Sequence, residues 1–242
     1  MLAMGTVRTR VVGAIAVVLV LASASACGGG ATRTKEGQIV PSVCASFRAR
    51  AADRLAAVTG TGKRVVVIGD SWSVGRGLVD PELSWPAELP GEVHVSGFPG
   101  SGFSEKDMAR CGRVSFADRA PNALRDGASL VVVEGGLNDV RRPEASVIAG
   151  FNRLMGELAG YKTVVIGPPP APKRGDGVIP VDRLLRQLCA KVGVPYISML
   201  DVKLDYLPDR LHPTAASHIT FGKTVATRIA RVVPAAPSLP GQ

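Results

Sequence analysis

Arg64-Val65-Val66-Val67-Ile68-Gly69-Asp70-Ser71-Trp72 is the stretch that decides the architecture. A β-branched run this short, bounded by Gly69, reads as a strand buried in a parallel sheet. In open α/β sheets, ligands bind just beyond the carboxyl ends of such strands. Ser71 therefore stands where chemistry is usually done, and its lone hydroxyl raises the question of what activates it.

Outward from this run, strands and helices alternate. Val93–Val95 reads as a second strand, followed by Gly97-Phe98-Pro99-Gly100-Ser101-Gly102. Ser129–Val133 is a third, followed by Glu134-Gly135-Gly136-Leu137-Asn138-Asp139. Thr163–Ile166 is a fourth, stopped by Gly167-Pro168-Pro169-Pro170, and Pro195–Ser198 is a fifth. Helical spacing is clearest at Ala145–Ala159 and Val181–Val192, and a last amphipathic segment covers Pro213–Val232. Upstream, Phe47, Ala51, Leu55 and Val58 set the packed face of a helix over Cys44 to Val58. The alternation predicts an α/β fold with a parallel sheet and helices on both of its faces. No internal repeat is present.

The chain begins with Arg8 and Arg10, an apolar stretch from Val11 to Ala22, and Ala24-Ser25-Ala26-Cys27. A basic start, an apolar middle and small residues before a cut describe an export signal. The apolar stretch is short for a membrane span. Cys27 after small residues resembles a bacterial lipobox, with Ala24 where leucine is more usual, and Gly28-Gly29-Gly30 follows as a flexible leash. The alternative is an ordinary secretory signal with a cysteine beside its cleavage site. The expected organisation is a lipoprotein-type signal over 1–26, a tether over 27–42, one domain over 43–233 and a disordered tail over 234–242. Cys27 is the expected lipidation site, anchoring the protein to the outer face of the cytoplasmic membrane.

Without the signal, 216 residues remain, which suits one α/β domain with a sizeable core. The formal charge of the whole chain is +9, and the signal holds two arginines and no acids. The remaining positive charge is spread along the chain without a Lys/Arg block, and aromatics make up only 5%. That reads as a generally basic surface and gives no sign of nucleic-acid binding. Export makes a disulfide permissible. Cys189 lies in the apolar stretch Leu184-Leu185-Arg186-Gln187-Leu188-Cys189 and reads as a buried thiol, which leaves Cys44 and Cys111 as the candidate pair, although the sequence does not fix the pairing.

A nucleophilic serine needs a base, a group that orients the base, and donors for the oxyanion. Only three histidines are present. His94 lies inside the second strand and reads as structural. His218 lies on the last helix and reads as a surface or helix-packing residue. His212 sits in the loop Pro208-Asp209-Arg210-Leu211-His212-Pro213-Thr214, directly before that helix. Asp209 can reach its Nδ1–H and fix the tautomer, leaving Nε2 for the serine proton. Taken alone, Asp209 and His212 are also what a helix N-terminal turn with a Thr214 cap would contain. Asn138, after the third strand, offers an uncharged amide donor or else an Asx-turn. Gly100 allows a backbone N–H to approach a substrate oxygen closely, with Gly97 and Gly102 as neighbours able to do the same.

In combination these blocks resemble the SGNH/GDSL hydrolase family. The matching residues are Gly69-Asp70-Ser71, Gly100, Gly136-Leu137-Asn138-Asp139 and Asp209-Arg210-Leu211-His212, spanning about residues 63–232. The resemblance implies a flavodoxin-like three-layer α/β/α sandwich with about five parallel strands in order 2-1-3-4-5. It implies a serine esterase working through an acyl-serine intermediate without metal or cofactor. Carried over, Ser71 is the nucleophile, Asp209 and His212 complete a triad, and the Ser71 N–H, Gly100 N–H and Asn138 side chain form the oxyanion hole. Asp70 buttresses the nucleophile loop. Trp72 departs from the family's leucine and either walls the site or packs under the loop.

Neither the 97–104 nor the 167–175 loop contains a long apolar lid, which favours short acyl esters such as O-acetyl groups on carbohydrate. Lipid ester or thioester cleavage and acyl transfer use the same residues. A non-catalytic envelope binding lipoprotein, or a phosphate binder at Gly69–Gly75, would need no such set of residues. The expected partners are a small-molecule or carbohydrate ester and the membrane through Cys27. The protein is expected to act as a monomer.

Overall fold

The structure, a computed structural model, describes residues 31–33 and 39–233. The expected signal, Cys27 and the tail from 234 lie outside the described residues. Of the expected tether, Ala31–Arg33 pairs antiparallel with Ile39–Pro41.

Five parallel strands form the central sheet: β1 (Arg64–Gly69), β2 (Glu92–Gly97), β3 (Leu130–Glu134), β4 (Thr163–Ile166) and β5 (Tyr196–Ile197). Their order is β2-β1-β3-β4-β5. The order reverses at β1, so a crevice opens between the ends of β1 and its two neighbours, and the loops after β1, β2 and β3 converge there. The register aligns these ends, with Gly69 opposite Gly97 and Ile68 opposite Val133.

Residues alternate across the sheet. Val65 and Val67 of β1 enter one core with Trp72, Trp85, Phe221, Val225 and Ile229. Val66 and Ile68 enter the other with Phe103, Phe116, Phe151, Leu154 and Leu185. Both faces are apolar because both are covered, which is why the β1 sequence shows no polar alternation. The helices are α1 (Val43–Ala56), α2 (Phe116–Ala123), α3 (Glu144–Glu157), α4 (Val178–Val192) and α5 (Ala215–Val232). Helices α2, α3 and α4 cover the second face and α5 the first. Burying Phe221, Val225 and Ile229 of α5 contributes roughly 1.5–3 kcal/mol per side chain relative to exposure. Among the described residues, no helix is long and apolar enough to cross a membrane.

One local expectation differs from the structure, and one helix lies where the sequence singled out none. The packed line of α1 runs through Cys44, Phe47, Ala51 and Arg54, while Leu55 and Val58 are exposed. Arg54 takes the inward place because its guanidinium finds Ser84 Oγ at 3.1 Å and the Ala57 carbonyl at 2.6 Å. Helix α2 buries a regular stripe of Phe116, Ala117, Ala120 and Ala123, but it is only eight residues long, three of the four are alanine and it contains Pro121, so the sequence does not single it out. Its mark is the reciprocal cap between Ser115 and Asp118.

Cys44 and Cys111 form a disulfide with Cα atoms 5.3 Å apart, and Cys189 is a buried free thiol. The bridge ties α1 to the turn beside Phe98, whose ring meets Phe47 edge-on at 6.2 Å. It closes a sequence separation of 67 residues. Replacing both cysteines by serine is expected to lower unfolding free energy by about 2–4 kcal/mol, read from denaturant midpoints. An unchanged midpoint would show that the bridge does not restrain the unfolded chain.

Candidate active site

The turn after β1 is closed by backbone bonds. Val74 N–H donates to the Asp70 carbonyl at 3.1 Å and Arg76 N–H to the Ser71 carbonyl at 2.9 Å. Asp70 pins the turn from below: Oδ1 accepts the Trp72 N–H at 2.8 Å and Oδ2 accepts from the Asn138 amide at 3.0 Å. Burial pushes its carboxyl up to about 7, with the Trp72 N–H pulling the other way. Trp72 packs under the loop. It is 1% exposed and meets Phe221 edge-on at 5.3 Å. Its indole N–H donates to the Leu211 carbonyl at 3.2 Å, a bond that leucine could not make. Trp72 thus fastens the serine turn to the histidine turn.

The histidine turn starts at Pro208, whose fixed φ suits a turn. Arg210 N–H donates to the Leu207 carbonyl at 2.8 Å, and Arg210 itself takes a φ of 59°. Leu207 N–H then donates to the His212 carbonyl at 2.8 Å, and Thr214 caps α5 through Ser217 N–H. Asp209 Oδ1 accepts two backbone N–H groups, Leu211 at 2.9 Å and His212 at 3.0 Å. Its Oδ2 lies 2.5 Å from His212 Nδ1. His212 Nε2 lies 3.0 Å from Ser71 Oγ. The structure therefore brings Ser71, His212 and Asp209 into one hydrogen-bonded line.

The charges suit that line. Partial burial works to raise the Asp209 carboxyl, but the His212 and Leu211 donors outweigh it and hold the group at about 2. Burial lowers His212 below its ordinary value, Asp209 opposes this, and Arg76 and Lys173 add to the lowering. At neutral pH the imidazole is a neutral acceptor beside an ionised carboxylate. The other histidines stand apart. His94 bonds Glu92 and Arg64, and His218 is buried in the α5 packing, accepting the Trp85 N–H.

Phe98-Pro99-Gly100-Ser101 is a tight turn, with Ser101 N–H on the Phe98 carbonyl at 3.1 Å. Pro99 and Gly100, at φ 79°, fit a type II turn, which demands a positive φ at its third residue. A Cβ on Gly100 would come within 2.7 Å of Met108 Cγ. Among the described residues, the N–H groups of Ser71 and Gly100 donate to no protein acceptor. Gly97 is spent on packing: a Cβ there would stand 2.4 Å from Val74 Cγ2.

Asn138 is placed differently from a free donor. Its amide nitrogen gives one bond to Asp70 and one to the Ser101 carbonyl at 2.8 Å, and its oxygen accepts from Arg174 at 3.1 Å. Arginine has only donors, so this contact fixes which end of the amide is oxygen. Arg174 sits in the Pro-rich loop after β4, and nothing in its local sequence marks it. Arg119 on α2 is likewise absent from the sequence reading. It holds the Gly69 carbonyl at 2.8 Å and Ser101 Oγ at 3.0 Å, joining the ends of β1 and the loop after β2. Glu134, at the end of β3, is completely buried and takes the Ser73 hydroxyl at 2.8 Å. Burial raises its carboxyl well above the usual range, Asp70 adds to this, and the Ser73 and Trp85 donors oppose it. Among the described residues, no group of three or more His, Cys, Asp or Glu could hold a metal ion.

A family model described as GDSL-like lipase/acylhydrolase matches residues 67–218. No curated protein matches the sequence significantly. Solved structures do. A putative arylesterase from Agrobacterium tumefaciens str. C58 is 26% identical with a TM-score of 0.58, covering 71% of this chain and 100% of its own. The carbohydrate acetylesterase Est24 from Sinorhizobium meliloti is 19% identical with a TM-score of 0.60, and the inhibitor-bound M. smegmatis aryl esterase is 20% identical with a TM-score of 0.60. Each of these two covers 71% of this chain and 100% of its own.

Proposed function

Because the chain belongs to the GDSL-like lipase/acylhydrolase family, we propose that this serine esterase removes short acyl groups, such as O-acetyl, from carbohydrate through an acyl-Ser71 intermediate. The observation that carries the reading is the line from Ser71 Oγ through His212 to Asp209, at 3.0 Å and 2.5 Å.

The steps follow from that geometry. Ser71 Oγ attacks the ester carbonyl carbon and gives its proton to His212 Nε2. Asp209 holds the Nδ1–H and stabilises the imidazolium. The negative charge on the former carbonyl oxygen meets the N–H groups of Ser71 and Gly100. Asn138 supplies the third donor by sharing the hydrogen that otherwise points at Asp70, while Arg174 keeps the amide oxygen turned away. The C–O bond to the alcohol breaks, and His212 returns the proton to the leaving oxygen. Water then attacks the acyl-enzyme with His212 as base, releasing the acid and restoring Ser71.

Ser71 is only 5% exposed and His212 3%, so a narrow approach supports a small acyl group. The structural likeness to Est24 of S. meliloti, a carbohydrate acetylesterase, fits the same reading. The basic start and Cys27 support export and lipid anchoring, which intact-mass analysis of the mature amino terminus tests. The acyl group is tested by a nitrophenyl ester series from acetate to palmitate. Rates should fall steeply beyond butyrate, and a maximum at long chains would reverse the assignment.

Asn138→Ala should lower kcat about 10²–10³-fold, and should also lower unfolding free energy by about 1–3 kcal/mol, because Asp70, the Ser101 carbonyl and Arg174 lose a partner. A loss below threefold would mean that its amide stays committed to Asp70 and Ser101 throughout the reaction.

A further inference from the structure

Ser71, His212 and Asn138 lie on backbone segments that also carry a group of cations. Arg76 ends the serine turn, its N–H on the Ser71 carbonyl at 2.9 Å. Lys173 and Arg174 lie on the loop after β4, which is joined to the histidine turn by the bond from Lys173 N–H to the Arg210 carbonyl at 2.9 Å. Arg210 is the residue between Asp209 and Leu211 in that turn. Arg141 follows Asn138 in the short helical turn Asp139–Arg141. Five cations are thus carried by backbone segments that hold the reacting groups. Arg76, Arg141, Lys173 and Arg210 are exposed, and none of the five forms an ion pair among the described residues. Arg76 rests over the Phe47 ring at 5.2 Å. Arg174 binds Asn138 through one terminal nitrogen, and its buried Nε has no partner.

This crowding of like charge is unfavourable. Burial disfavours the charge on Arg174 and Arg141 adds to this, and Arg76 and Lys173 add to the burial that disfavours protonation of His212. Asp70 and Asp107 favour the charge on Arg174 only in part, since its pKa still falls below the ordinary value. Asp209 is taken up by His212 and two backbone donors, and Asp70 is buried beneath the serine turn. Like charges gathered at the mouth of a site raise the local concentration of an oppositely charged substrate and speed its arrival.

We propose that the five-cation rim selects an acyl ester borne on an acidic sugar, whose carboxylate lies against Arg76, Lys173 and Arg210 while the ester carbonyl faces Ser71. This deepens the esterase reading and rests on it. Carbohydrate is favoured over lipid because the loops at the rim carry charge where an acyl chain would need a continuous apolar wall.

The test compares kcat/KM on O-acetylated oligogalacturonate and O-acetylated xylo-oligosaccharide, with p-nitrophenyl acetate as the reference. The acidic ester should be preferred about tenfold or more at low salt, and 0.5 M NaCl should bring the ratio close to one. The triple variant Arg76→Gln, Lys173→Gln, Arg210→Gln should also bring the ratio close to one. Lys223→Gln, on the exposed side of α5, should leave it unchanged. Because the salt arm uses the unaltered protein, it decides the matter even if the triple variant folds poorly. Turnover of p-nitrophenyl acetate with equal rates on the two sugar esters overturns the rim assignment alone. No turnover of any of the three overturns the esterase reading as well. Faster cleavage of dioleoyl phosphatidylglycerol vesicles than of the acidic glycan gives the rim to lipid and overturns the carbohydrate assignment.

Discussion

With Ser71 replaced by alanine, kcat/KM on p-nitrophenyl acetate is expected to fall about 10⁴–10⁶-fold. That corresponds to roughly 5–8 kcal/mol of lost transition-state stabilisation. The loss is large because no other group replaces the attacking oxygen. The next hydroxyl along the turn, Ser73, is committed to Glu134 at 2.8 Å and receives the Trp85 indole N–H at 3.2 Å. It is also completely buried. The fold should survive. The Ser71 backbone bond to Arg76, the Asp70 contacts and the Trp72 packing do not involve the hydroxyl. A thermal midpoint within about 2 °C of wild type, together with the lost rate, would separate chemistry from folding. A fall of less than tenfold would mean that another group attacks the ester.

Asp209→Asn should lower kcat/KM about 10³-fold. An asparagine keeps one oxygen for the Leu211 and His212 N–H groups, so the turn keeps its shape. Its amide then donates to Nδ1 and drives the ring proton to Nε2, which can no longer accept from Ser71. The effect stays nearer 10³ than 10⁴ because the Asp209 side chain is 41% exposed, and water competes for that place. The pH profile adds a second readout. Burial already lowers the His212 pKa from 6.5, so the acid limb of kcat/KM for wild type should lie below pH 6.5, with a plateau at neutrality. Asp209 is the group that opposes this lowering. Its replacement should move the limb to still lower pH while the plateau drops. A limb that moves up instead would mean that Asp209 does not stabilise the protonated ring.

The sheet was legible because β1, β3 and β4 are runs rich in valine and isoleucine that stop at or beside glycine, and the ends of β1 and β3 hold the chemistry. Helix positions followed wherever an apolar stripe repeated, as in α4 and α5. The stripe failed in α1, where Arg54 is buried because distant Ser84 accepts from it, a contact no local spacing reveals. In α2 the stripe is present but short and built mostly of alanine around Pro121, so it does not stand out. In the site, the short supply of histidines and the interval from Asp209 to His212 singled out residues that the fold then brings to Ser71. What stayed hidden depends on contacts across the chain. The indole bond of Trp72 to Leu211 spans 139 residues. Asn138 reads from sequence as an oxyanion donor or an Asx-turn, yet Asp70, Ser101 and Arg174 engage it from three separate loops.

The measurement that bears most directly on the central claim is covalent labelling with a fluorophosphonate, followed by peptide mapping. Such a reagent reacts with a serine only where a base takes its proton and donors hold the oxyanion. A single adduct on the peptide containing Ser71, absent in Ser71→Ala and strongly slowed in His212→Ala, is the result this structure predicts. An adduct on a different serine, or no adduct in protein that still hydrolyses p-nitrophenyl acetate, would contradict it.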